Sequence, residues 1–234
     1  VEKVLPVSYT LKEYLINGGF DSRKVVVLYN IVTRTNNLGE EVEEKLKKTI
    51  NYSDEDFLIG MIGNFVTEKD QLTLSRAFYK LLSHNSKAKL VFIGEISKLT
   101  QKAKDVFPNT EIGSRVYFTG QIANASELIP LFDLMVFSSN SETFGMAAME
   151  SLLHKVPVIA SDIPVMRELS FNGKYFQLFP RGDDKILSDM LREHVEGMND
   201  TRYDLNESMT YVKNEFSASK YITTLESIYS DDCD

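Results

Sequence analysis

Ser138-Ser139-Asn140-Ser141-Glu142-Thr143-Phe144-Gly145-Met146-Ala147-Ala148-Met149-Glu150 decides how the rest of the chain is read. An apolar run, Leu134-Met135-Val136-Phe137, precedes it. A second run, Val156-Pro157-Val158-Ile159-Ala160, follows a helix-like segment that ends near His154. Strand, polar turn, helix and strand in that order predict a βαβ unit. Ligands of such units bind beyond the carboxyl ends of the strands, where helix N-termini point at them. Glu142 falls in the turn and Glu150 inside the helix. At about 1.5 Å rise per residue, their carboxylates sit on the order of 10 Å apart. Gly145 between them allows close backbone approach. The spacing suits two acceptors gripping the ends of an elongated, hydroxyl-rich ligand, with a diphosphate at the helix N-terminus between them.

Working outward, 234 residues make one large domain or one and a half. A hydrophobic content of 43% with 26% charged residues is that of an ordinary globular protein. A net charge of −8 argues against nucleic acid as a partner, which needs a basic footprint. Cys233 is the one cysteine, so no internal disulfide is expected and a reducing, cytoplasmic compartment is. Asp133 interrupts the longest apolar stretch, and neither a membrane span nor a signal peptide is legible. The chain opens at Val1 close to a strand-like run, as expected of a cut from a longer protein.

Val4 to Ser8 and Val25 to Asn30 read as strands around a helix from Thr10 to Asn17, a piece too small to bury its own core. The polar run Thr33-Arg34-Thr35-Asn36-Asn37 reads as a linker. Beyond it, strands are predicted at Phe57 to Ile62, Lys89 to Ile93, Arg115 to Phe118, Leu134 to Phe137, Val156 to Ala160 and Tyr175 to Phe179. Between them, helices are expected from Thr67 (with Asp70 in a partial capping box), around Ile96 to Val106, after Asn124 capped with Glu127, at Pro164 to Leu169, and at Asp183 to Gly197. Leu74, Ala77, Phe78, Leu81 and Leu82 share one helical face. A helical tail ends in Tyr221 to Tyr229. The alternation predicts an α/β fold, a Rossmann-like doubly wound, mostly parallel sheet covered on both faces.

Glu142, seven residues and Glu150, with Phe144-Gly145 inside and a Val-Pro-Val-Ile-Ala-Ser strand following, resemble the donor-site signature of glycosyltransferase family 4. The resemblance runs from Gly63 to about Ala160, and more loosely to Tyr229. It implies the C-terminal, donor-binding half of a retaining, two-Rossmann GT-B enzyme. Residues 1–35 then resemble the last piece of the acceptor-side domain plus linker, and 36–234 the donor domain with its crossing helices. By the same resemblance Gly63 to Lys69 matches a phosphate site, with Lys69 near the leaving diphosphate. Position 64 is Asn where the family commonly has Arg, so the site holds one cation rather than two. Gly120-Gln121-Ile122 resembles the loop whose backbone faces the nucleobase. Glu142 is implied to hold sugar hydroxyls and Glu150 the ribose, with Phe144, Gly145, Met146 and Ala147 lining the donor.

The resemblance implies a nucleoside-diphosphate sugar, such as a UDP- or GDP-sugar, as donor, with no metal and no separate cofactor. The acceptor pocket is expected in a missing N-terminal acceptor domain, so nucleotide binding without transfer is expected of this chain alone. Bacterial surface polysaccharide or glycoconjugate synthesis in the cytoplasm, at or near the inner face of the membrane, is the implied setting. Two other readings stay open: a nucleotide-sugar epimerase of the same fold, and a non-catalytic binding or assembly module, to which Asn64 gives weight.

Read without the resemblance, Glu142 is a solvated loop residue, Lys69 a solvated first-turn lysine and Gly120 a tight turn. Gly60-Met61-Ile62-Gly63-Asn64-Phe65 lacks the Gly-x-Gly-x-x-Gly of dinucleotide sites, although Glu95 follows the next strand as a ribose-binding acid does. Asp162 and Glu168 read as helix-start and helix residues. His84, His154 and His194 have no metal-ligating company. His154-Lys155 suits a helix end through the helix dipole.

Overall fold

Six short apolar segments, each bounded by turn residues, become the strands of one sheet. They are β1 (Phe57–Ile62), β2 (Ala88–Ile93), β3 (Val116–Phe118), β4 (Leu134–Phe137), β5 (Val158–Ser161) and β6 (Gln177–Phe179). The computed structural model describes residues 3–34, 40–82, 87–107, 113–198 and 203–230. The strand order is β3-β2-β1-β4-β5-β6, and every neighbouring pair is parallel. The order reverses between β1 and β4, which opens a crevice at their carboxyl ends.

The helices are α1 (Tyr9–Asn17), α2 (Glu40–Thr49), α3 (Gln71–Leu82), α4 (Lys98–Lys104), α5 (Met146–Leu153), α6 (Pro164–Leu169), α7 (Asp184–Val195), α8 (Leu205–Glu215) and α9 (Ala218–Ser230). Successive side chains of a strand point to opposite faces, and both faces here are covered. Leu58, Met135, Phe137, Val158 and Ala160 pack with the inner sides of α5 and α6. Ile59, Met61, Leu134, Val136 and Ile159 pack with α3 and α7. Among the described residues, no helix is long and apolar enough to cross a membrane.

Several local expectations need correction. The two extended segments near the start meet only in a parallel bridge between Val4 and Val25. Pro6 has no N–H to extend a ladder, and only its carbonyl is used, by Leu28 N at 2.9 Å. α3 begins at Gln71 rather than Thr67, because Asp70 sits at φ 46°. Its carboxylate bonds Thr73 instead, at 2.6 Å to the hydroxyl, so the capping box drawn from Thr67 is absent. Asn124 is also left-handed and makes no side-chain cap. The segment after it, Ala125–Leu131, is a 3-10 helix holding Pro130. β5 starts at Val158 because Pro157 offers only its carbonyl, to Met135 N at 2.9 Å. α2 went unpredicted, although acidic and basic residues stand one turn apart in it, as Glu43 and Lys47 do, 2.6 Å apart in the fold. Most of the expected linker, with the domain boundary after residue 35, lies outside the described residues, as do His84 and Cys233.

Candidate functional site

The crevice between β1 and β4 is built by two loops that bond to each other. β4 runs into two buried serines. Ser138 Oγ donates to the Asp70 carbonyl at 2.8 Å. Asn140 N donates to the Glu68 carbonyl at 2.7 Å, and its side-chain amide to the Thr67 carbonyl at 2.9 Å. These bonds bring Lys69 onto Glu142, and the two form an ion pair. Ser139 Oγ adds a second hydrogen bond to the same carboxylate oxygen of Glu142, at 2.8 Å. The Glu142 side chain is 9% exposed and that of Lys69 27%. The resemblance implied Lys69 at the diphosphate and Glu142 at the sugar hydroxyls; in the protein the two side chains pair with each other.

α5 begins where the loop ends. Gly145 stands at φ 95° as its N-cap, a conformation that costs other residues about 1–2 kcal/mol. A Cβ there would lie 2.8 Å from Met166 Cε. Gly145 thus permits the close approach of a buried methionine of α6. Ala148 N and Met149 N bond the Gly145 carbonyl at 3.1 and 3.3 Å. Among the described residues the N–H groups of Met146 and Ala147 have no backbone acceptor, which is the ordinary state of a first helical turn and its capacity for an anion. Both residues are half-buried.

Glu150 lies one turn further on, half-buried, and its carboxylate has no hydrogen bond or ion pair among the described residues. Burial pushes its carboxyl above the usual carboxylate range. The Phe144 ring is turned away into an aromatic cluster, edge-on to Phe216 at 5.4 Å and tilted to Tyr29 at 6.0 Å. The ring is thereby committed to the core.

The turns after β1, β2 and β3 form a ledge. Gly63 N bonds the Ile93 carbonyl at 2.8 Å and Gly94 N the Gly120 carbonyl at 3.0 Å. A Cβ on Gly94 would fall 2.1 Å from Gly63 O. Asn64 Oδ1 accepts from Glu95 N at 3.0 Å, which commits its carbonyl end to the ledge and leaves its amide nitrogen as donor. Gln121 is exposed and Ile122 half-buried against the core. The loop from Gly120 to Ile122 follows β3, two strands from β1, and does not touch the Lys69–Glu142 pair.

The pair faces a cleft of about 470 Å³. Glu68, Lys69 and Glu142 line one side; α1 supplies Thr10, Leu11 and Tyr14 to the other. α1 is held there by Glu168, which the sequence reading left as a plain helix residue. Its carboxylate accepts from Tyr9 N at 2.7 Å, Thr10 N at 2.8 Å, Thr10 Oγ1 at 2.8 Å and the Tyr29 hydroxyl at 2.8 Å. Ser8 Oγ caps Leu11 N at 3.1 Å and donates to the Thr143 carbonyl at 2.9 Å. These partners are too far apart in sequence for any local pattern to announce them. His154 caps the end of α5, but burial, with Arg34 adding to it, pushes its pKa below the ordinary range. The shift opposes the charged ring that the helix dipole would favour. Asp162 pairs with Arg167 rather than capping α6.

The profile of the family described as Glycosyl transferases group 1 matches residues 42–209. The chain belongs to that family. This group 1 chain is 25% identical over 213 residues to N-acetyl-alpha-D-glucosaminyl L-malate synthase of Bacillus anthracis, covering 90% of this chain and 54% of that protein. It is 22% identical over 190 residues to the capsular polysaccharide biosynthesis glycosyltransferase CapM of Staphylococcus aureus, covering 81% of this chain and 49% of that one. It thus spans about half the length of these curated relatives. Anabaena HepE, solved in complex with UDP and glucose, superposes with a TM-score of 0.83 at 19% identity, over 99% of this chain and 64% of that one. A glycosyltransferase from Rickettsia africae superposes at 0.82 with 22% identity, over 98% of this chain and 63% of that one. The six-stranded parallel sheet with its helices is of the GT-B glycosyltransferase type that the sequence implied.

Proposed function

We propose that this group 1 chain is the donor-binding part of a retaining family 4 glycosyltransferase. It moves a sugar from a nucleoside-diphosphate sugar, such as a UDP- or GDP-sugar, to an acceptor in surface polysaccharide or glycoconjugate synthesis. The setting is the cytoplasm, at or near the inner face of the membrane. One observation carries the reading: Lys69 and Glu142 pair at the edge of one cleft at the reversal of strand order, and the loop that carries Glu142 runs directly into the open first turn of α5. The names of the relatives from Bacillus anthracis and Staphylococcus aureus support a sugar-transferring class. The complexes of HepE with UDP and with UDP-glucose support the donor class.

Sugar transfer breaks the bond between the anomeric carbon and the diphosphate, and negative charge grows on the departing phosphate oxygen. Lys69 and the N–H groups of Met146 and Ala147 stabilise that charge from preset positions, without a metal. Asn64 contributes a neutral donor. A diphosphate that takes Lys69 frees Glu142 to accept sugar hydroxyls, with Ser139 keeping its carboxylate in place. Glu150, half-buried without a partner, gains one in the ribose hydroxyls. Gly63 and the backbone from Gly120 to Ile122 border the nucleoside. Equilibrium dialysis against UDP, GDP and ADP tests the reading: one nucleotide is retained, and EDTA leaves its retention unchanged. Retention of none refutes it and favours a non-catalytic module.

A further inference from the structure

The far wall of the cleft carries an unused aromatic ring. Tyr14 is 74% exposed and lines the cleft that Glu142 and Lys69 close on the other side. Among the described residues its hydroxyl makes no hydrogen bond and its ring no ring contact, whereas Tyr9 and Tyr29 on the same segment stack edge-on at 6.0 Å. Its helix is not left to drift. Glu168 takes the N–H groups of Tyr9 and Thr10, Ser8 takes that of Leu11, and Ser8 also grips the loop that carries Glu142. All three first-turn amides of α1 are thus satisfied, two of them by a carboxylate from α6, which also suits the helix dipole. An aromatic ring carried on an anchored helix opposite a carboxylate matches a pyranose, which has a ring of apolar C–H groups on its faces and hydroxyls at its rim.

We propose that Tyr14 contacts the transferred hexose, its ring packing on the C–H face while Glu142 takes the hydroxyls, and that Glu168 is the residue that positions it. This inference rests on the donor-site reading above and adds a sugar-contacting wall from the N-terminal segment. On that reading the nucleoside lies along the ledge and the diphosphate at Lys69, so the Tyr14 ring meets the sugar and not the base. Loss of the ring therefore weakens a sugar nucleotide but not the bare nucleoside diphosphate.

The test is calorimetric titration of the 234-residue chain with UDP and UDP-glucose, and with GDP and GDP-mannose. The proteins compared are the wild type, Tyr14→Ala, Tyr14→Phe and Glu168→Gln. Tyr14→Ala lowers sugar-nucleotide affinity about three- to tenfold, the range of one aromatic contact, with nucleoside-diphosphate affinity held within about twofold. Tyr14→Phe keeps the ring and the affinity. Glu168→Gln speeds amide exchange at Tyr9 and Thr10 and reproduces the loss for the sugar nucleotide alone. Equal effects of Tyr14→Ala on both ligands, or none on either, overturn the contact. Loosened α1 amides with an unchanged sugar increment overturn the positioning role. Binding of neither pair to the wild type refutes the donor-site reading itself, and this inference with it.

Discussion

Lys69→Met breaks the ion pair that crosses the crevice, and its cost follows from the burial of the partner it abandons. Glu142 is 9% exposed and would keep only the Ser139 hydroxyl at 2.8 Å. Breaking a fully buried pair from one side costs about 3–5 kcal/mol, and an exposed pair is worth about 0–1 kcal/mol. With Lys69 at 27% exposure the pair stands between these limits, and about 1–3 kcal/mol is expected. Glu142→Gln should cost less, on the order of 0.5–1 kcal/mol, because the stranded ammonium reaches water along its flexible stem. The double variant recovers most of the loss, giving a coupling of about 1–2 kcal/mol. Urea unfolding of the four proteins, followed by far-ultraviolet circular dichroism, reads each value, and added salt changes them little since the pair is sheltered. A coupling below about 0.3 kcal/mol, within ordinary additivity, refutes the claim that the two loops are fastened through this pair. So does a Lys69→Met variant no less stable than Glu142→Gln.

Gly145→Ala must place a β-carbon 2.8 Å from Met166 Cε at φ 95°. Backbone strain and forced repacking together predict a loss of about 2–4 kcal/mol, read as a lowered urea midpoint. Burial raises the folded-state pKa of Glu150 above its ordinary 4.5, so the folded chain holds this proton longer than the unfolded one. The stability it contributes is full below the ordinary carboxylate value and is lost as pH rises through the raised value. Urea midpoints of Glu150→Gln across the acid to neutral range should lack that decline. Incubated with UDP-glucose or GDP-mannose and candidate acceptors, the chain alone should bind nucleotide yet transfer no sugar; turnover contradicts its assignment as a donor-binding part.

The sheet was legible because each strand is a short apolar run closed by turn residues, as Leu134 to Phe137 is by Ser138-Ser139. Only Gly145, whose φ demands the residue, marked the start of α5. Boundaries failed where a single residue leaves helical space for tertiary reasons, as Asp70 does at φ 46° and Asn124 at φ 54°. Residue type does not fix such angles. Glu142, Glu150 and Lys69 were legible as candidate residues, but the pairing of Lys69 with Glu142 was not. Lys69 and Glu142 meet only because β1 and β4, distant in sequence, are neighbours in the sheet. The same holds for Glu168, whose partners on α1 and Tyr29 lie on the far side of the chain. Phe144 read as part of a binding motif, and the fold spends its ring on the aromatic core with Phe216 and Tyr29.

Calorimetric titration of wild type and Glu150→Ala with UDP, GDP and ADP bears most directly on the donor-site claim. Glu150 is half-buried without a partner among the described residues, a state that a ligand hydroxyl relieves. The account predicts that one nucleotide binds the wild type and that the substitution weakens it by about 1.5–3 kcal/mol, the size of a lost hydrogen bond to a charged group. Equal affinity of the two proteins for that nucleotide would contradict it.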